Sequence, residues 1–302
     1  MVETVLILGA SGKIGAHCAK AFSEAGWQVR EYDRTSGDMT AAAAGVDVIV
    51  NGLNPPNYHN WAKLIPEITS QVIAAAKSSG ATVIIPGNVY NFGTAPGPWS
   101  QNTPQLATTR KGRIRVEMEK AYRKAGVRTI ILRAGNFVDP THSDDVMRMV
   151  YLRTIAKGHI TSPGDPDALQ SFCYLPDWAR AAVGLAGIRA QLNQFEDVPF
   201  AGHTFTTNDL RAELEQALQR KIKLVGFPWL VFKLASPVWE LAREVTEMRY
   251  LWSVSHQMDG TKLASLLPKF RPTDRATVMR AGLPADINPD QAMPGQTAAL
   301  LS

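Results

Sequence analysis

Near its start the chain runs Val5-Leu6-Ile7-Leu8-Gly9-Ala10-Ser11-Gly12-Lys13-Ile14-Gly15. An apolar run breaks at a glycine, two more glycines follow at three-residue spacing, and a helical pattern begins at Ile14. Strand, tight turn and helix in that order constrain the fold more than anything else in the chain. Gly9 permits the sharp exit from the strand. Gly12 lets backbone approach a pyrophosphate, and Gly15 lets the helix pack on the strand. The helix start also presents unpaired N–H groups and a positive dipole end to an anion. Gly9, Ser11, Gly12, Lys13, Ile14 and Gly15 are therefore candidate dinucleotide-binding residues.

The rest of the first half repeats the strand–helix rhythm. A helix over residues 14–25 ends at Gly26, and strands are expected at 28–32, 47–50, 82–85 and 129–132. Helices are expected at 61–78 and 111–124, each stopped by a glycine. Alternation without hairpin turns means βαβ units. The fold class is accordingly α/β, a Rossmann-type doubly wound parallel sheet with a smaller C-terminal substrate lobe. Residues 1–160 form the dinucleotide-binding lobe and 161–302 cover the substrate, with about 171–188 returning to the first lobe. In the second part, helices are expected at 144–157, 178–188 (capped by Asp177), 206–219 and 228–252, the last interrupted at Pro237. Short strands are expected at 171–175 and 221–225, and a weakly ordered Pro- and Ala-rich tail from Leu283. The irregular stretch 86–108, rich in Gly, Pro and Asn, has the length of a functional loop.

Composition narrows the function classes. Two cysteines, Cys18 and Cys173, cannot make a disulfide framework and suit a reducing, cytoplasmic setting. The apolar run at Val5 lacks a basic leader and ends in the glycine turn, so no signal peptide is expected. The net charge is +5, but the one dense basic run, Arg110-Lys111-Gly112-Arg113-Ile114-Arg115, has no interleaved aromatics and is followed by Glu117 and Glu119. That favours attraction for an anionic cofactor and substrate over nucleic acid. Lys233, Glu240, Arg243, Glu244, Glu247 and Arg249 exclude a membrane span over 229–256, and no membrane partner is expected. The six histidines and two cysteines show no metal spacing, so no metal is expected.

Several segments, in order, resemble the extended and atypical short-chain dehydrogenases/reductases, the sugar-nucleotide epimerase/dehydratase group. The glycine turn is similar to that family's signature. Val89-Tyr90 with Gly93 resembles its "VYG" loop, and Arg133-Ala134-Gly135-Asn136-Phe137 its "RPGNF" segment. Phe172-Cys173-Tyr174-Leu175-Pro176-Asp177-Trp178-Ala179-Arg180 resembles its return strand and helix. The likeness spans about residues 4 to 190. It implies an NAD(P)-dependent oxidoreductase or epimerase-like enzyme acting on a small hydroxyl- or carbonyl-bearing metabolite, and a homodimer.

The family's chemistry uses a Tyr four residues before a Lys. None of the seven tyrosines here has that partner, and Ala107 stands four residues before Lys111. The run from Lys111 to Ile130 is similar instead to the atypical branch that includes isoflavone- and phenylcoumaran-type reductases and nitrogen-repressor-like sensors. There one Lys serves as cofactor ligand and general acid/base, which makes Lys111 the candidate for both roles. The missing Tyr and Ser keep open a second reading, a catalytically silent dinucleotide-binding redox sensor. At the end of the second strand stand both Asp33, suited to a ribose diol, and Arg34, suited to a 2′-phosphate. Lys13 in the glycine turn tips the balance towards NADP over NAD. Gly52 and Leu53 are placed with the cofactor, and Asn88, Tyr90 and Asn136 with the substrate.

Overall fold

The computed structural model describes residues 2–33, 35, 37–141 and 144–290. Its centre is a six-stranded sheet, parallel throughout: β1 (Thr4–Leu8), β2 (Gln28–Tyr32), β3 (Val48–Asn51), β4 (Thr82–Gly87), β5 (Thr129–Arg133) and a strand from far downstream, Phe195–Pro199. Spatial order is β2-β1-β3-β4-β5 with the late strand on the outer edge. The central strands are buried on both faces, which is why they read as unbroken apolar runs.

Side chains alternate between two cores. Leu6, Leu8, Ile49, Val83, Ile85 and Ile131 pack on one face under α2 (Met39–Ala42), α3 (Trp61–Ser79) and α4 (Arg110–Ala125). Val5, Ile7, Val48, Val50, Ile84, Ile130 and Leu132 point the other way, under α1 (Lys13–Glu24) and a later helix, Leu175–Gly187. Trp178 of that helix is fully buried and donates its indole N–H to Leu132 O at 3.1 Å. The return to the first lobe is thus made by this helix and by the edge strand after it.

The second half builds a separate small layer. β6 (Asn136–Val138), β7 (His159–Ser162) and β8 (Gln170–Tyr174) precede the return helix α5 (Leu175–Gly187). After the edge strand β9 (Phe195–Pro199) come β10 (His203–Phe205), α6 (Thr207–Ala217), β11 (Lys223–Gly226), α7 (Trp229–Ala235), α8 (Glu240–Glu247), α9 (Thr261–Leu266) and α10 (Arg275–Arg280). β8 lies between β10 and β6, while β11 pairs with β7. The strand expected at 171–175 therefore belongs to the small sheet, not the large one.

Three expectations need correction. Residues 144–157 do not form one helix: a wide turn at Met147–Tyr151 and a tight one at Ile155–Lys157 replace it. Asp145 takes the Asp139 and Arg148 N–H groups, while Met147, Tyr151, Leu152 and Ile155 turn inward. β9 was not expected, because Phe195-Glu196-Asp197-Val198-Pro199 carries two carboxylates. Both find partners, Glu196 on Lys262 and Asp197 on Arg133 at 2.6 Å. At the chain end Leu283 is fully buried and Asn288 donates to Arg280 O at 3.2 Å, so order persists past Leu283; residues 291–302 lie outside the described residues.

Candidate active site

The glycine turn is built as its sequence demands. Gly9 sits at φ +78, and a side chain there would meet Gly52 backbone at 3.3 Å. A Cβ on Gly15 would lie 2.1 Å from Gly9 O, so only hydrogen lets α1 start this close to β1. Gly12 N donates to Gly9 O at 2.9 Å and then serves as the cap of α1 with no side-chain hydrogen bond. The first-turn N–H groups are left for a ligand. Ser11 is exposed at the rim, and Ile14 packs into the core beneath. Gly52 N donates to Leu8 O at 2.9 Å, and Leu53 N to Asn51 Oδ1 at 3.1 Å, which sets both beside Gly9. These residues fit a dinucleotide pyrophosphate: a close-packed, glycine-only cradle at the carboxyl end of a parallel strand.

Neighbouring charges are already engaged. The Lys13 ammonium donates to Asp144 O at 2.7 Å and pairs with its carboxylate at 3.1 Å. One helical turn on, His17 Nε2 meets the buried Asp139 carboxylate at 2.9 Å. Burial alone would raise Asp139, but the bonds from His17 and Thr141 hold it well below the usual carboxylate range. The loop after β6 is thereby clipped to α1 beside the cradle. At the end of β2, exposed Asp33 accepts from Thr35 N and Oγ1, each at 2.8 Å, and these bonds lower its pKa. Arg34 lies outside the described residues.

Lys111 is not arranged for the roles the sequence suggested. It is fully buried, and its ammonium reaches Glu244 O at 2.8 Å, Glu244 Oε2 at 2.8 Å and Glu247 Oε2 at 2.6 Å. An ammonium has three N–H donors, and all three are spent. Arg110 adds a second cation to Glu244, so the start of α4 is bolted to α8. Lys111 retains one link to the site, standing 5.2 Å from the centre of the Tyr58 ring.

Beyond the cradle, on the same end of the sheet, opens a cavity of about 110 Å³. Tyr58 follows β3, Val89 and Tyr90 follow β4, and Asn136 begins β6 just after β5; Val245, Met248, Leu251 and Trp252 close it from the second lobe. The hydroxyls of Tyr58 and Tyr90 are 3.2 Å apart. Burial pushes both phenols up, partly offset for each by the Arg115 guanidinium. His256 and Gln170 also line the cavity. His256 donates Nδ1–H to Val254 O at 2.8 Å, which makes Nε2 an acceptor, and burial drives the imidazole down to about 4. That Nε2 and Gln170 Oε1 have no hydrogen-bond partner among the described residues. Asn88 serves the loop itself: its Oδ1 accepts from Tyr90 N at 3.0 Å, and its carbonyl accepts from Arg133 at 2.8 Å.

Sequence reasoning had treated Tyr58, Gln170 and His256 without a site role. In the structure Asn57, Tyr58 and Asn60 all have positive φ (53, 60 and 46), tolerable for Asn and costly for Tyr, a conformation that the sequence pattern does not announce.

No family model matches the chain, and no curated protein matches it. Solved structures do. The UDP-glucuronic acid 4-epimerase from Bacillus cereus, in complex with UDP-glucuronic acid and NAD, superposes with TM-score 0.72 at 15% identity, covering 92% of this chain and 97% of that one. The fold is that of the nucleotide-sugar epimerases and dehydratases. TunA, an NAD-dependent NDP-hexosamine 5,6-dehydratase of tunicamycin biosynthesis, gives 0.70 at 15%, covering 93% and 96%. The Bordetella bronchiseptica enzyme WbmH, in complex with NAD+, gives 0.68 at 16%, covering 93% and 97%. The epimerase/dehydratase fold thus extends over nearly the whole chain, second lobe included. Among the described residues no three His, Cys, Asp or Glu side chains are grouped to hold a metal.

Proposed function

We propose that this protein is an NAD-dependent oxidoreductase or epimerase-like enzyme acting on a small, mainly apolar compound bearing a hydroxyl or carbonyl group. The observation that carries this reading is the tyrosine-walled cavity at the same sheet end as the glycine cradle, where open α/β sheets place ligands. Gly9, Ser11, Gly12, Gly15, Gly52 and Leu53 would hold the dinucleotide, with Asp33 at its ribose. Asp33, kept ionised by Thr35, favours NAD over NADP, and so does the capture of Lys13 by Asp144. The NAD named for the structural neighbours points the same way. When bound, a nicotinamide supplies or removes a hydride.

The chain's own residues supply the rest. Tyr90 and Tyr58 form a hydroxyl pair able to exchange a proton with a substrate oxygen, in place of the missing Tyr-x-x-x-Lys pair. Lys111 positions Tyr58 through its ring face. Val146, Val150, Val245, Met248 and Leu251 exclude water and select an apolar body.

Titration with NADH and NADPH, followed by cofactor fluorescence, tests the cradle; a panel of small alcohols and carbonyls tests turnover. Tyr90→Phe should keep NADH affinity and lower turnover about 100-fold or more. Absence of saturable binding to either dinucleotide would overturn the reading. NADH binding with no turnover across the panel would favour the silent redox sensor, which the locked Lys111 pair also suits.

A further inference from the structure

We propose that Gln170 and His256 form a polar subsite that selects a substrate carrying, besides its reacting oxygen, a neutral group with two hydrogen-bond donors, such as a primary carboxamide. The proposal rests on the reading of the cavity as a substrate site and names the class of compound it takes. Both side chains line the cavity, and both are almost fully buried, Gln170 at 3% and His256 at 2% exposure. The backbone fixes them beside each other. His256 N donates to Leu169 O at 2.9 Å, and Leu169 N donates to Ser255 Oγ at 3.1 Å, which lays the segment around His256 against the start of β8. The two side chains then meet at one carbonyl. Val254 O accepts from His256 Nδ1 at 2.8 Å and from Gln170 Nε2 at 3.2 Å.

Those bonds leave acceptors and no donors. Gln170 Nε2 also donates to Leu251 O at 3.1 Å, so both amide hydrogens are committed and Oε1 remains. Turning the amide over would set Oε1 against two carbonyl oxygens, which fixes its orientation. His256 carries its one ring hydrogen on Nδ1, and burial keeps the imidazole neutral, so Nε2 is an acceptor. Neither Oε1 nor Nε2 has a hydrogen-bond partner among the described residues. A buried acceptor without a donor forfeits its hydration, so a ligand that brings the donor is favoured and an analogue lacking it is rejected. Two such acceptors in the wall of one cavity call for a donor each. Charge narrows the class further. Among the described residues lining the cavity there is no Lys, Arg, Asp or Glu. A carboxylate or phosphate would meet two lone pairs and no cation, and an ammonium would lose its hydration with no carboxylate in return. A neutral group with two donor hydrogens meets both acceptors without that cost.

The test uses methyl ketones that share a body and differ at the other end, as primary carboxamide, methyl ester or carboxylate, in a series from pyruvamide to the acetylbenzamides. Dissociation constants are measured by calorimetry on the full chain, with and without NADH. The best carboxamide should bind at least about tenfold more tightly than its ester, and the carboxylate should bind most weakly. In a sample labelled with heavy nitrogen at histidine, the His256 Nε2 resonance should move on adding that carboxamide and stay in place with the ester. His256→Phe keeps a ring against Trp99, whose centre lies 4.7 Å from that of His256, and should cut the amide-over-ester preference to about twofold or less. No binding by any carboxamide, equal affinity for amide and ester, tighter binding of the carboxylate, or a preference that survives His256→Phe overturns the proposal. Movement of the His256 resonance by NADH alone, to the same extent, overturns it in favour of the cofactor's own carboxamide. The wild-type affinities and the His256 resonance decide the question without the variant, should His256→Phe fail to fold. Turnover enters none of these readouts. Amide selectivity without turnover therefore sinks the catalytic reading alone, and turnover without amide selectivity sinks this proposal alone.

Discussion

Replacing Lys111 by methionine separates a structural lysine from a catalytic one. The side chain is fully buried, and its ammonium spans Glu244, itself 1% exposed, and the half-buried Glu247. Burial would raise Glu247, but the bonds from Lys111 hold its carboxyl below the ordinary value. Removing one partner of a buried ion pair strands the other charge, typically at about 3–5 kcal/mol. Glu244 would keep Arg110, which places Lys111→Met near the lower end, about 3 kcal/mol. Urea unfolding at neutral pH should show that loss as a lower midpoint with unchanged slope. Adding Glu244→Gln removes the buried carboxylate that lost its lysine, so the double variant should lose less than the two single variants together, and the cycle should report coupling. NADH affinity of the single variant should stay within about twofold of wild type, because none of the three Lys111 N–H groups is available to a cofactor. Unchanged stability together with lost NADH binding would refute this reasoning and return Lys111 to the binding site.

Two further outcomes follow from the geometry. Gly15→Ala puts a Cβ 2.1 Å from Gly9 O, a backbone atom that cannot step aside; it should cost about 1–3 kcal/mol and at least tenfold in NADH affinity. Gly12→Ala, whose Cβ would stand 3.2 Å from the same oxygen, a much smaller overlap, should cost less than Gly15→Ala, and equal NADH binding by wild type and Gly15→Ala would contradict the cradle. The neutral, buried His256 makes stability depend on pH. With the folded value at about 4 against an unfolded value near 6.5, stability is complete above about pH 6.5 and falls as acid protonates only the unfolded chain, by about 3 kcal/mol on reaching pH 4. Urea midpoints measured from about pH 7 to about pH 4.5 should show this slope, and His256→Phe should flatten it; an unchanged slope in the variant would exclude His256 as its source.

The parallel sheet and the cradle were legible in the sequence because both are local. Val5 to Leu8 must be a strand covered on both faces, and Gly9, Gly12 and Gly15 answer to sterics within a dozen residues. What lay beyond reach depended on partners distant in the chain. Lys111 reads as an available helix-start cation until Glu244 and Glu247, more than 130 residues away, close on it. β9, with two carboxylates in five residues, has no strand assignment from sequence, and in the structure Arg133 and Lys262 neutralise those carboxylates. Tyr58 and Tyr90 become a pair only because a strained turn after β3 meets the loop after β4. The sequence by itself determined the parallel strands and the close-packed glycine turn at the carboxyl end of β1. Tertiary structure decided which side chains around that turn remain unengaged, because burial and long-range pairing consume donors and charges that local pattern cannot follow.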